Sequence, residues 1–399
     1  MIDKLFNLLG WLVAGVLLIF TARRWLFTIA AWGPDPPETG KNRSDPDLPA
    51  VLLLAPVRNE APVLPEFFVA LDRLDYPGER LTLVCIDDGS TDGSGELLRA
   101  WAAGRANRHV LSLPHNLGKA EALNWALRLF PQGELVAVYD ADERPRPDAL
   151  AALVSAFADE TIGGVSGRRA VANAQAGPAA GYAACEGLVH QWVTMRAKDR
   201  LGLAPAMLGA NCAYRRAALA QLGYFWPGAL LEDTDLTVKL ARAGWRIRFV
   251  AAARSDHRAP ITLQGYWRQH TRWARGFNEV AKTQAGGVIF DHRLPLALRL
   301  ELVMFALGYL DRLAVLGGGL LWLLGRAGRP LAGLLALSLL TPFIQLVAAL
   351  KIAQAPPFMW ARLGWVPLFF GLDIAAAGLG FWKTLTHAPQ IWEERRARK

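Results

Sequence analysis

The stretch Leu81-Thr82-Leu83-Val84-Cys85-Ile86-Asp87-Asp88-Gly89-Ser90 decides the fold. A mostly apolar run leads straight into two carboxylates, a glycine and a serine. Such a run reads as a strand buried on both faces, and the Asp-Gly-Ser that follows reads as a tight turn leaving it. Comparable runs lie at 50–55, 109–113 and 135–139. Between them, 60–74, 95–103 and 118–130 carry apolar residues at helical spacing. Alternation of this kind predicts an α/β domain: a mostly parallel sheet covered by helices on both faces. Ligands of such sheets bind at the carboxyl ends of the strands. This chain places its acids there.

Outward from this core the chain turns hydrophobic. The full sequence of 399 residues is 53% hydrophobic and only 20% charged, with 15 Trp and a net charge of +9. That excludes a disordered chain. Three Cys exclude a disulfide scaffold, and Cys85 reads as a small core residue. Residues 5–22 hold no charge and are followed by Arg23-Arg24. A secretory signal has the opposite order, so residues 1–33 read as a retained transmembrane helix whose C-terminal end is cytosolic. A linker is expected over 34–49 and the soluble domain over 50–290, with interfacial helices near its end. A second membrane region is expected over 291–388, and a basic cytosolic tail over 389–399. Residues 331–350 hold no charge, and 363–382 hold Asp373 alone. Asp373 reads either as lining a polar conduit or as pairing with a neighbouring helix. Residues 296–324 are interrupted by Arg299, Glu301, Asp311 and Arg312, which leaves one long span or an interfacial helix plus a short one.

Several motifs fail on their own chemistry. The segment from Asp88 begins like a calcium loop, but its twelfth position is Arg99 where a carboxylate is needed. Gly118-Lys119 lacks the earlier glycine of a phosphate loop, and Gly93-Ser94-Gly95 lacks the third glycine of a dinucleotide fingerprint. No His/Cys group has zinc spacing, and no nucleic-acid module accompanies the positive charge.

Four motifs hold. Asp87 and Asp88 leave a strand where they can accept hydrogen bonds from a base or ribose, against the plainer reading of a helix cap. In Tyr139-Asp140-Ala141-Asp142, an extended backbone would put Asp140 and Asp142 on one face, able to converge on a divalent cation. Glu232-Asp233-Thr234-Asp235 opens a helix. Its acids suit the macrodipole, and one of them suits the role of a positioned general base. Gln269, Arg272 and Trp273 share a helix face and offer an amide, a phosphate-binding fork and a flat apolar platform. An interfacial amphipathic helix is the simpler account of that last segment.

In this order the four motifs resemble the membrane-embedded family 2 glycosyltransferases, which include the synthases of cellulose, chitin, hyaluronan and poly-N-acetylglucosamine. The resemblance spans about residues 50–280 and takes in Pro56-Val57-Arg58-Asn59-Glu60 and the segment Asn116-Leu117-Gly118-Lys119. It implies a GT-A fold, a nucleotide-sugar donor, UDP-linked by preference, and inversion at the anomeric carbon. By the same resemblance Glu60, Asp87 and Asp88 hold the nucleoside. Lys119 lies near the ribose or diphosphate, and Asp140 contributes to donor binding. Asp140 and Asp142 face Mg²⁺ or Mn²⁺, and Asp233 is the base. Glu232, Gln269, Arg272 and Trp273 serve the diphosphate and acceptor, and Gly209-Ala210-Asn211-Cys212 occupies the place of an acceptor-side turn. One departure stands out: Arg258 occupies the place, two residues before Pro260, where many relatives carry an acid.

The expected activity is extension of a β-linked polysaccharide by a multi-pass enzyme of the plasma (inner) membrane with a cytosolic catalytic domain. The rival is transfer of a single sugar to a lipid. A third reading is an inactive nucleotide-binding subunit, which the complete set of acids disfavours. The expected partners are the donor, a polysaccharide or lipid acceptor and the bilayer, without nucleic acid; an accessory subunit is compatible with them.

Overall fold

The computed structural model describes residues 2–33 and 48–388. Most of the expected linker and all of the expected basic tail lie outside these residues. The chain begins with helix α1 (Ile2–Ala30), then β1 (Val51–Val57), α2 (Leu64–Asp72), β2 (Leu81–Asp87), α3 (Ser94–Ala102) and β3 (Arg108–Ser112). It continues through α4 (Lys119–Leu129), β4 (Leu135–Val138), β5 (Arg144–Pro145), α5 (Ala149–Ser155) and β6 (Ile162–Val171). Next come α6 (Pro178–Leu188), α7 (Arg196–Arg200), β7 (Cys212–Arg215), α8 (Arg216–Gln221), α9 (Glu232–Arg242) and β8 (Arg246–His257). Helices α10 (Leu263–Ile289), α11 (Leu296–Ala306), α12 (Leu310–Leu323), α13 (Arg329–Ile352), α14 (Pro357–Trp360) and α15 (Val366–Leu385) complete it.

These elements form two compact units. One comprises residues 36–172 and 204–258; the other comprises 1–35, 173–203 and 259–399. The first holds one eight-stranded sheet in the order β3-β2-β1-β4-β7-β6-β8-β5. Strands β3, β2, β1 and β4 run parallel, as the apolar runs predict. Beyond them the sheet is mixed: β7 is antiparallel to both β4 and β6, and β5 is antiparallel to β8. Val57 pairs with Asp87 and Leu54 with Val138, so β1, β2 and β4 end at the same edge. Because β7 is reversed, Cys212 pairs with Val138 and the turn entering β7 lies at that edge as well. Leu52, Leu53, Leu54, Val84 and Ile86 are fully buried. One face packs on Leu64, Phe67, Leu98, Leu150 and Leu153, each burial contributing roughly 1.5–3 kcal/mol.

The second unit is helical. Among the described residues, three of its helices are long and apolar enough to cross a membrane: Asp3–Ala30, Arg329–Ile352 and Pro357–Leu385. The interrupted segment 296–324 is not one long span: as in the second expected alternative it holds two helices, α11 and α12, broken around Leu307–Tyr309. The charges responsible are paired between helices. Glu301 takes Arg23 at 2.6 Å and Lys198 at 3.1 Å, Asp311 takes Arg24 and Arg312, and Arg312 bonds Asp373 at 2.8 Å. Asp373 thus pairs with a neighbouring helix.

The contacts do not keep 50–290 as one block: 173–203 and 259–290 group with the apolar helices. The physical reason lies in side chains such as Val193 and Ala197, which pack with Phe27, Ala31 and Ala349, while Ala274 of α10 abuts Gly380 of α15.

Candidate active site

The carboxyl edge of the sheet carries interlocked loops. Asn59 adopts a left-handed conformation (φ 52°); its side chain accepts from the Thr91 amide at 2.8 Å and its own amide donates to Ser90 Oγ at 3.1 Å. The Glu60 amide donates to Ser94 Oγ at 3.0 Å. These bonds hold the half-buried Glu60 beside the turn that follows β2. Asp87, 7% exposed, accepts from the Ser90 amide at 2.9 Å. Asp88 turns the other way: its two carboxylate oxygens take the amides of Leu117 and Gly118 at 2.7 and 3.0 Å. The pair expected to share one ligand is therefore split in orientation, with Asp88 shaping the loop that leads into Lys119.

Gly89, at φ 69°, makes this crossing feasible. A Cβ there would lie 2.8 Å from the Asn116 nitrogen and the His115 carbonyl carbon. Gly89→Ala is expected to lower unfolding stability by about 3 kcal/mol, through strain plus backbone contact, as read by chemical denaturation.

Lys119 is the hub. Its Nζ donates to Asp140 Oδ1 at 2.8 Å and to the Gly209 carbonyl at 2.7 Å, and lies 3.2 Å from Glu232 Oε1. Burial opposes its charge, but Asp140, Glu232 and Asp233 outweigh that and hold the ammonium above its ordinary range. Four segments distant in sequence meet on one cation: the start of α4, the end of β4, the turn before β7 and the start of α9.

Asp233 shares this site. A Cβ on Gly209, itself at φ 68°, would fall 2.8 Å from Asp233 Oδ2 and 3.3 Å from Lys119 Nζ, so only glycine admits both groups. Asp233 Oδ1 accepts from the Thr234 amide at 2.6 Å. Its pKa is pushed up to about 6 by burial and by Glu232, with Lys119 and Thr234 opposing.

The Asp140–Asp142 segment departs from the extended geometry expected of it. Strand β4 ends at Val138, and the Glu143 amide donates to the Asp140 carbonyl at 3.0 Å, closing a turn. The side-chain alternation of a strand therefore does not govern these two acids. Among the described residues no group of three or more His, Cys, Asp or Glu side chains is arranged to hold a metal. Two acids of the turn remain, Asp140 against Lys119 and Asp142 at 4% exposure beside Glu143 and Arg169.

Sequence reading missed Glu143 and Arg169. Glu143 is fully buried, and Arg169 Nε on β6 donates to it at 2.6 Å. Burial pushes Glu143 up to about 7, with Arg169 opposing and Asp142 and Asp140 adding. The local signal was a third acid directly after Asp142; its partner on β6 has no local signal at all. Asn124 of α4 clamps Phe225 by bonds of 2.7 and 3.0 Å and so ties α4 to the loop before α9.

Gln269, Arg272 and Trp273 lie on α10, in the helical unit, with Arg272 exposed and the other two half-buried. Helical spacing puts them on one face, as expected. In the sheet unit Arg258 pairs with Glu66 at 3.1 Å, while Asp256 is bonded by Arg254 at 2.8 Å. The departure at Arg258 is thus a surface ion pair. Asn211, also left-handed (φ 48°), donates to the carbonyls of Arg168 and Ala253 and fixes the turn entering β7.

These residues make an acid-rich edge on a mixed sheet, organised around one lysine. Residues 135–376, more than half of the chain, match the family described as Glycosyl transferase family group 2. Residues 48–116 match the one described as Glycosyltransferase family 25, N-terminal domain. The chain belongs to glycosyl transferase family group 2. It is 33% identical over 234 residues to the probable glycosyltransferase YdaM of Bacillus subtilis (strain 168), covering 58% of this chain and 56% of that one. It is 32% identical over 231 residues to the beta-monoglucosyldiacylglycerol synthase of Nostoc sp. (strain PCC 7120), covering 57% and 49%. The matched region spans about half the length of these curated relatives. Among solved structures, the mannosyltransferase PcManGT from Pyrobaculum calidifontis, in complex with GDP-Man and Mn²⁺, is similar over 98% of this chain and 100% of that one. The TM-score is 0.67 at 23% identity. The fold is of the GT-A type.

Proposed function

We propose that the chain transfers a sugar from a nucleoside-diphosphate sugar to a hydroxyl acceptor held at a membrane, in a single inverting displacement with Asp233 as the base. The observation that carries this reading is the half-buried Asp233 carboxylate, fixed beside Lys119 and Gly209 at the carboxyl edge of the sheet. In the displacement the acceptor oxygen bonds the anomeric carbon. Asp233 takes the hydroxyl proton, and the electron pair of the breaking C–O bond leaves on the diphosphate. With Glu60 and Asp87 at the nucleoside, Lys119 sits where it can balance charge developing on the diphosphate. Arg272, with Gln269 and Trp273, carries the diphosphate and acceptor roles that family resemblance gives them.

Two hard carboxylates on one turn, Asp140 and Asp142, suit Mg²⁺ or Mn²⁺ bound mainly through diphosphate oxygens. When bound, such a cation would stabilise the departing diphosphate without proton transfer.

A separate observation supports a choice of acceptor. The buried charges of the helical unit, including Asp373, are bonded to one another across helices, which supports a closed, packed bundle over a polar conduit. That favours transfer of one sugar to a lipid, in keeping with the named activity of the Nostoc relative, over extrusion of a polysaccharide. Purified full-length protein with Mn²⁺ or Mg²⁺ should be offered labelled UDP- and GDP-sugars with lipid and oligosaccharide acceptors, and the products sized. One labelled lipid is expected; a long polymer would restore the synthase reading, and no transfer or hydrolysis of any donor would remove the enzymatic one.

Asp233 also sets the pH response. Its pKa of about 6 leaves it mostly ionised at neutral pH. Transfer is expected to be half-maximal near pH 6, to fall below it, approaching about tenfold per unit, and to level off about one unit above it. A pH–rate profile on saturating donor checks this.

A further inference from the structure

Beside Gln269 on α10 stands His270, buried at 4% exposure, with both ring nitrogens facing acceptors. Nδ1 lies 2.9 Å from the Tyr266 carbonyl oxygen, which has no proton to give. Nε2 lies 3.2 Å from Glu186 Oε2 on α6. The other oxygen of Glu186 accepts from the Tyr266 hydroxyl at 2.7 Å. Tyr266 stacks on the imidazole at a centroid distance of 3.8 Å, and Trp273 meets the same ring edge-on at 5.0 Å. One carboxylate from α6 thus gathers two side chains of α10, and one of these is in contact with Trp273.

We infer that His270 is a doubly protonated imidazolium which, paired with Glu186, positions the face of α10 that carries Gln269, Arg272 and Trp273. A neutral ring satisfies only one of its two neighbours unless Glu186 takes the proton. Carboxylates ordinarily release protons near 4.3 and imidazoles near 6.5, so the shared proton belongs on the ring. The groups facing it are Glu186 from α6, Tyr266 and Trp273 from α10, and Asp373 from α15, itself paired with Arg312; Tyr182 of α6 packs on Tyr266. Burial pushes the imidazole down, but Glu186 and Asp373 outweigh it and hold it above its ordinary range. The pair forms a charge-assisted bond out of water, the setting in which such bonds are strongest.

The functional half of this inference rests on the glycosyl-transfer reading; the protonation state does not. ¹⁵N-histidine NMR of the full-length protein in nanodiscs, with His270 assigned by its loss in His270→Gln, should show two protonated ring nitrogens at pH 7. A pyridine-type nitrogen on His270 at pH 7 overturns the inference. If His270→Gln does not fold, Glu186→Gln supplies the assignment: there burial is less opposed, and His270 alone should release its second ring proton at a lower pH than in the wild type. In the transfer assay, Glu186→Gln should raise the acceptor KM about tenfold while donor hydrolysis changes less than twofold. An equal loss of both would reduce the pair to a structural tie and overturn the positioning role. A wild-type protein that neither transfers nor hydrolyses would refute glycosyl transfer, and the NMR result would still decide the charge of His270.

Discussion

Asp233→Asn is expected to bind donor within about twofold of wild type and to transfer sugar about 10²–10⁴-fold more slowly, the range of a general base removed. The substitution is nearly isosteric. It preserves the acceptor oxygen that takes the Thr234 amide, and the site around Gly209 keeps its shape. What disappears is the capacity to accept a proton from the attacking hydroxyl. Isothermal titration of donor beside initial transfer rates separates the two effects. Weakened donor binding with proportionate turnover would move Asp233 from catalysis to donor recognition. The acid limb near pH 6 should vanish with it, because Asn does not titrate.

Lys119→Met should be nearly as damaging, for a different reason. The ammonium serves Asp140, Glu232 and the Gly209 carbonyl together. Without it two carboxylates and a carbonyl face one another, and breaking such a partly buried network costs about 3 kcal/mol. Lys119 also holds Asp233 down, so the acid limb of any residual activity should move above pH 6. Transfer should fall about 10²-fold from lost charge balance at the diphosphate. A circular-dichroism melt and a pH–rate profile of the same preparation test both parts. An unchanged acid limb would show that Lys119 does not act on Asp233.

The parallel half of the sheet was legible because its strands are buried on both faces and so appear as unbroken apolar runs. The acids stood out because each follows such a run and precedes a turn or helix. What the sequence did not disclose depends on pairing at a distance. Reversal of β7 brings Gly209 and Asn211 to the edge, yet nothing in Cys212-Ala213-Tyr214-Arg215 states a direction. Arg169 reaches Glu143 from another strand, and Lys119 finds Glu232 more than a hundred residues away. The turn at Asp140 overrode strand periodicity, because β4 ends one residue earlier than its apolar run. The helical unit was hidden by charge: Glu301, Asp311 and Arg312 disguise α11 and α12, and only their partners on α1, α7 and α15 explain their burial. His270 appeared merely as a spacer between Gln269 and Arg272, since no spacing rule points to a glutamate on α6.

The central claim is a one-step displacement at the anomeric carbon assisted by Asp233. The most direct test is the anomeric configuration of the first product, read by proton NMR from an α-linked nucleotide-sugar donor turned over by the purified full-length protein. The account predicts a β-linked product with no α-anomer above background. An α-linked product would require a second displacement or a front-face path, and would contradict Asp233 as the base of a single step.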